Sequence, residues 1–209
     1  MDINTIQHLY SDYTTTKEYS TEYSLAFFSR NAVTFNNIQT FQDSDELNIY
    51  IELTWQYLHA LYEKGRYNET VDYSINHLQT IDREIERLNL SSIKNDWYYG
   101  IILFKGMASY RLRDYKISTL VFIQLTRIDT KNENYKNWLS YSRYGQRMWI
   151  SKTIAILCGV LLLTEIFFKK FLPSFMVRIS LDGIALAGFI GTLVYDYYIK
   201  RSFRKTLRK

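Results

Sequence analysis

The side chains of this chain that could do chemistry are few, and their spacing assembles no reactive site. His8, His59 and His77 stand at no metal-ligand interval from acids or from Cys158, the single cysteine. One cysteine permits no disulfide within the chain, which fits a reducing compartment. The sequence carries no glycine-rich phosphate loop and no Gly-x-Ser-x-Gly turn, and its acids are spread as on solvated helix faces rather than paired. His59 has the type of a general base, but a histidine inside a helical period is far more often a half-buried structural residue. The expectation is no catalytic residue, no metal, no cofactor and no enzyme. What remains is binding.

Charge directs that binding away from nucleic acid. The 209 residues carry 26 Lys and Arg against 21 acids, a net charge of +5. The excess is local. Residues 149–209 hold ten Lys and Arg against three acids, while the first 148 residues hold sixteen against eighteen. A mildly acidic N-terminal domain is a poor partner for phosphates, so nucleic-acid binding is not expected.

The basic part surrounds two apolar stretches, Ile150–Phe168 and Ile179–Tyr198. Crossing about 30 Å of hydrocarbon takes roughly 20 mostly apolar helical residues, and both stretches meet that length. Their charges sit near the ends, with Glu165 one turn before Lys169, Asp196 one turn before Lys200, and Asp182 in an opening turn. Trp149, Phe167, Phe168, Phe171, Tyr195, Tyr197 and Tyr198 mark the boundaries. The link Lys169–Arg178, which holds Pro173, has room only for a tight return. The sequence thus predicts a two-helix transmembrane hairpin over 149–200, followed by a basic tail, 201–209.

Three Lys and Arg lie in the link and nine on the other side of the bilayer, which places the N-terminal domain and the tail together in the cytoplasm. Met1 is not followed by a basic segment and an apolar run, so no cleavable signal is expected, and the Asn-x-Ser/Thr triplets at Asn68 and Asn89 read as unmodified. A bacterial inner membrane suits this layout. Gly183, Ala187 and Gly191 recur every four residues with Gly188 beside them, and Ala155 and Gly159 repeat the interval in the first stretch. Such stripes predict close packing of the hairpin on itself, or an oligomer or partner interface. No acid sits at mid-span, which argues against a transporter.

Residues 43–148 show helical periodicity. Asp43-Ser44-Asp45-Glu46 opens a capped helix, continued by Leu47, Ile51, Trp55, Leu58 and Tyr62 up to Gly65, a helix-ending residue. Further helices are predicted over about Tyr67–Asn89, Asp96–Leu112, Tyr115–Ile128 and Glu133–Arg147, with a polar break at Ser91–Asn95. The last runs on into the first membrane stretch. In residues 1–42 a dense Ser, Thr, Tyr and Asn content breaks the period, although Ile3, Ile6 and Leu9, and Tyr23–Phe28, suggest short helices. That segment reads as a cap over the end of the array.

These helices form two pairs with matching punctuation, and here the chain resembles tetratricopeptide repeats. Leu61-Tyr62-Glu63-Lys64-Gly65-Arg66-Tyr67-Asn68-Glu69-Thr70 looks like the turn within one repeat. Gly106-Met107-Ala108-Ser109-Tyr110-Arg111-Leu112-Arg113-Asp114-Tyr115 looks like the same turn in the next, with Ser118, Phe122 and Leu125 at its packing positions and Ile128-Asp129-Thr130 at its break. Gly65 and Arg113 lie 48 residues apart against a family period of about 34, so the first repeat has a long second helix or an insert near Arg87–Asn95. The fold implied is all-α, a tetratricopeptide-like antiparallel array followed by the hairpin.

The resemblance also implies a concave groove lined by first helices. Position by position it presents Glu52, Trp55, His59 and Tyr62, then Leu103, Met107, Tyr110 and Arg111, then Asn137, Tyr141 and Tyr144. Aromatic residues with an arginine are the types that anchor protein interfaces. The Lys/Asn set used by some relatives to clamp a terminal carboxylate is not present. The expected function is a membrane-anchored adaptor that binds a cytoplasmic protein, its partner unnamed by the sequence. The alternatives are a membrane-perturbing effector with a cytoplasmic sensor domain, or an accessory subunit of a larger membrane complex.

Overall fold

The computed structural model describes residues 5–15, 20–168 and 175–206, and among them the chain is all-α. Two compact units divide it, Met1–Tyr135 and Lys136–Lys209. The first holds α1 (Thr5–Thr15), α2 (Thr21–Arg30), α3 (Ala32–Asn36), α4 (Ser44–Glu63), α5 (Tyr67–Leu88), a 3-10 turn at Ser91–Ile93, α6 (Asp96–Arg111) and α7 (Tyr115–Ile128). A long helix, α8 (Glu133–Phe168), begins there and continues through the second unit, followed by α9 (Phe175–Thr206). From α4 to α7 these bounds lie within a few residues of those the periodicity predicts, α8 runs on through the first apolar stretch as expected, and α9 extends to Thr206, into the part expected to be a basic tail.

Local side chains fix the starts of the helices. Asp43 accepts from the amides of Asp45 and Glu46, and Asn95 and Asp114 accept from those of Tyr98 and Ile117. Each such cap satisfies a donor that the helix cannot, an effect of about 1 kcal/mol. The ends of α4 and α6 repeat one geometry. Gly65 N donates to Tyr62 O and Arg66 N to Leu61 O, both at 2.9 Å, while Arg113 N and Asp114 N donate to Tyr110 O and Ser109 O at 3.0 and 2.9 Å. Gly65 and Arg113 are both left-handed, at φ 72° and 65°. The two turns are the same device, one built with the residue suited to it and one without. The 48-residue interval between them reflects the 22 residues of α5, against 14 in α7, and the added 3-10 turn.

Helix α4 is the centre of the first unit. Leu47, Ile51, Leu53, Leu58 and Leu61 on it are inaccessible to water, because α1, α2, α5 and α6 all pack against it. Helices α1 and α2, from the segment read as a cap, therefore contribute to this core. Tyr13, Phe27, Phe28 and Phe35 are buried with Tyr50 and Tyr57 of α4, and Phe28 stacks on Tyr57 at 4.6 Å between ring centroids. Tyr13 and Ser24 satisfy each other's hydroxyls at 2.8 Å. Tyr13 supplies the next buried position of α1 after Ile6 and Leu9, which carries the helix to Thr15. Outward from α4, α5 packs on α6 and α6 on α7.

In the second unit, α8 and α9 meet where a Cβ on Gly188 would come 2.7 Å from Cys158 Sγ. The buried strip on α9 is Ala185 and Thr192, with Gly188 between them, and on α8 it is Ser151 and Cys158. The stripe expected to pack the pair lies elsewhere. Gly183, Ala187 and Gly191 are exposed, roughly half a turn round α9 from Ala185. A Cβ at Gly159, Gly183 or Gly191 meets nothing within 4 Å among the described residues, and Ala155 is half-buried. Among the described residues no helix is long and apolar enough to cross a membrane. The apolar stretches 150–168 and 179–198 both extend past the side chains that are described, and Lys169, Lys170, Phe171, Pro173 and residues 207–209 lie outside the described residues.

The paired turns generate a test. Arg113→Gly should stabilise the fold by about 0.5 kcal/mol by removing a left-handed side chain, while Gly65→Ala should cost about 1 kcal/mol, both read from denaturant midpoints. A loss of stability in Arg113→Gly would mean that the side chain, not the backbone, holds that turn.

Candidate functional site

Helices α4 and α6 bring their aromatic residues together into one half-buried face. The indole of Trp55 stacks on the His59 imidazole at 5.2 Å and 6° between planes, and Trp97 meets Trp55 edge-on at 4.6 Å. Phe104 stands within 5.8 Å of Trp55, 5.7 Å of His59 and 5.6 Å of Tyr62, centroid to centroid. Trp55 lies so close over Gly100 that a Cβ there would fall 2.3 Å from its Nε1. At the far end Arg111 Nε donates to the Tyr62 hydroxyl at 3.4 Å. That bond, and the neighbouring phenols of Tyr62, Tyr67 and Tyr110, hold the guanidinium's pKa above its ordinary value.

The structure thus joins Trp55, His59, Tyr62 and Arg111 of the expected groove, and places the others differently. Tyr62 is buried, so its ring serves the core and only its hydroxyl reaches Arg111. Glu52 turns toward α1, where its Oε2 accepts from the Tyr10 hydroxyl at 3.3 Å. Tyr110 pairs its ring with Tyr115 of α7 at 5.4 Å. Leu103 and Met107 are half-buried on α6. Asn137, Tyr141 and Tyr144 belong to the second unit, where Tyr141 packs edge-on against Trp138 at 6.0 Å. Sequence reasoning missed Trp97 and Phe104, and the missing signal was present. Gly100, where the absence of a side chain lets the Trp55 indole approach α6, sets a face running through 97, 100, 104 and 111.

A second cluster lies between α3, α4 and α5. The Tyr50 hydroxyl sits 2.5 Å from His77 Nδ1, with the Phe35 ring 5.1 Å from both rings. Burial pushes the His77 imidazole down to about 4 and the Tyr50 phenol upward, so both are neutral at physiological pH. A phenol is the better donor and an imidazole nitrogen the better acceptor, so Tyr50 donates to Nδ1 and the proton sits on Nε2. That Nε2 is buried and has no partner.

Beside it an ionic clamp fixes the loop after α3. Glu84 Oε2 accepts from the Phe41 amide at 3.2 Å and from Arg87 at 2.7 and 2.9 Å. Arg87 and Arg83 donate in turn to the carbonyls of Phe41 and Gln39. Burial alone would raise the Glu84 carboxyl, but the Arg87 bond, the Phe41 amide and the two guanidinium charges hold it below its ordinary value. Among the described residues no group of histidine, cysteine and acids could hold a metal ion. Compared with protein families, with curated proteins and with solved structures, the chain matches none.

The buried imidazole makes stability depend on pH. Between about 6.5 and about 4 an unfolded chain binds a proton that folded His77 refuses, so stability should fall as pH falls through that window, by up to about 3 kcal/mol. Glu84 adds to the loss below 4.5, where the unfolded carboxyl protonates first. His77→Gln keeps an acceptor for Tyr50 and should flatten the upper part of the curve. An unchanged slope in denaturation midpoints from pH 7 to 5 would show that folded His77 takes up protons freely.

Proposed function

We propose that this chain is a membrane-anchored adaptor, in which a tetratricopeptide-like array recruits a protein partner and a two-helix hairpin confines it to the bilayer. The array reading is supported by the α4–α5 and α6–α7 pairs and by the matching turns at Gly65 and Arg113. The anchor reading is supported by what α8 and α9 leave uncovered. Ile156, Ile184 and Val194 are 66%, 65% and 63% exposed, at the upper end of a row that goes down to 43% at Ile154. On α9 the large exposed apolar residues, from Ile184 to Tyr198, take up most of the circumference apart from the strip of Ala185, Gly188 and Thr192. Single exposed apolar residues are ordinary, but an apolar surface of this extent calls for a partner or for lipid. Thr153 and Thr192 close their hydroxyls onto carbonyls of their own helices, at 3.0 and 2.7 Å, as hydroxyls in hydrocarbon must. The distribution of Lys and Arg favours a cytoplasmic array and tail in a bacterial inner membrane.

The observation that carries the binding role is the half-exposed face of Trp55, His59 and Trp97, backed by the buried Phe104 ring and with Arg111 at its edge. Rigid aromatic rings beside an arginine give much contact area for little lost freedom. Tethering raises the partner's effective concentration at the membrane without any reaction.

Two measurements test this. Carbonate-washed membranes should retain the full-length chain in the pellet, and its release to the supernatant would remove the anchor. His59→Ala with Arg111→Ala in the full-length chain should weaken capture of its partner about tenfold or more at unchanged melting temperature, as expected for anchor residues worth 1–3 kcal/mol. Undiminished capture would move the binding site off this face. Loss of membrane potential on expression would favour the membrane-perturbing alternative instead.

A further inference from the structure

A cavity of about 690 Å³ opens in the first unit between α3 with its following loop and α5. Clefts that hold small molecules are commonly about 300–1,000 Å³, so its size is that of a ligand site rather than of a packing defect. Tyr50 and His77 lie on its inner side, Asn36, Asn76 and Gln79 around it, and Arg83 is its one charged residue. No acid lines it.

His77 is only 3% exposed, and its Nε2 has no partner. The Tyr50 hydroxyl fixes the tautomer that makes Nε2 a donor. Arg83 is held by the Gln39 carbonyl and side chain through Nη2, and by Glu84 through Nε at 3.5 Å, while Nη1 takes part in none of these contacts. Glu84 is already bound by Arg87, so two guanidinium groups share one carboxylate and the cluster keeps a positive charge. Asparagine and glutamine amides can pair with either donors or acceptors, and the half-buried Tyr73 ring offers flat apolar surface.

From the cavity and its charge we infer that this is a binding site for a small organic anion, a phosphate- or carboxylate-bearing molecule of about nucleoside size. Arg83 receives the anionic group, the amides of Asn36, Asn76 and Gln79 pair with the rest, and His77 lies beneath them, close enough to report the occupant. The site is separate from the aromatic face of α4 and α6. It would give the first unit a chemical input as well as a protein-binding output.

The test uses the full-length chain in mild detergent with its three histidines labelled with ¹⁵N. Nucleoside 5′-monophosphates, glucose 6-phosphate, glycerol 3-phosphate, succinate and inorganic phosphate are titrated separately to about 10 mM, against melting temperature and imidazole signals. At least one organic anion should bind with Kd below about 1 mM, moving the His77 signal and leaving those of His8 and His59 in place. Glycerol 3-phosphate as the sole binder would identify a lipid headgroup as the source, and the others a soluble ligand. Asn76→Asp with Gln79→Glu, both exposed on α5, should weaken binding about tenfold, and Gln79→Lys should tighten it. The assignment is overturned if no organic anion moves the His77 signal, if inorganic phosphate binds as tightly as every organic probe, or if both charge variants bind like the parent.

Discussion

Helix α4 has almost no face left for water, and the rest of the first unit follows from that. Its leucines and isoleucines at 47, 51, 53, 58 and 61 are sealed by helices on every side. A residue of this type contributes about 1.5–3 kcal/mol when fully buried, so a helix this surrounded cannot stand until its neighbours are in place. Those neighbours come from both directions in sequence. α1 and α2 arrive from the N-terminus, α5 and α6 from the C-terminal side, and the cooperativity of the unit resides in their meeting on one helix. An α4 open on one side would also leave Tyr50 and Tyr57 half-wet, and the aromatic cluster with Phe28 and Phe35 would have no floor.

The two candidate sites are consequences of how that sealing ends. Toward α6, the seal is made by large rings over a glycine, so it finishes in a half-exposed face of flat surfaces rather than in small aliphatic side chains. Toward α3, the seal is made by a short helix and a loop, which bring backbone polar groups against α5. Those groups need partners, and Glu84 with Arg83 and Arg87 supplies them. The clamp ties the loop to α5 at Gln39 and Phe41, and the space left beside it is the polar cavity lined by His77. A continuous helix in place of that loop would have closed the space with side chains.

Much of the helical layout was legible in the sequence because it is written in short intervals. Caps at Asp43, Asn95 and Asp114, the glycine at 65 and the three- and four-residue apolar steps act within one or two turns. What was not legible depends on distant partners. Periodicity in residues 1–42 is obscured because tyrosines and threonines take buried or half-buried places there, and which of them point inward is decided by α4. The repeat pattern names groove residues on three helices, whereas the face is set by where Trp55 of α4 lands on α6, at Gly100. Tyr50–His77 and Phe41–Glu84 are 27 and 43 residues apart, with no local pattern to announce them. The small-residue stripe on α9 shows the same limit. An interval of four says that residues share a face, and only the partner helix says which face is used.

The two units differ in what their surfaces show. The first matches some buried polar groups with other side chains, as in the Glu84 clamp and the Tyr13–Ser24 pair, and closes others, such as Thr70 and Ser74, onto carbonyls of their own helix. In the second, Thr153 and Thr192 also close onto their own helices, while isoleucine, leucine and phenylalanine face outward. Taking such surface out of water is worth about 25 cal/mol for each Å². In the anchor we propose, lipid would supply that gain without any further fold. The basic excess of residues 149–209, against an acidic balance in the first 148 residues, fits the same proposal, in which anionic headgroups would attract it.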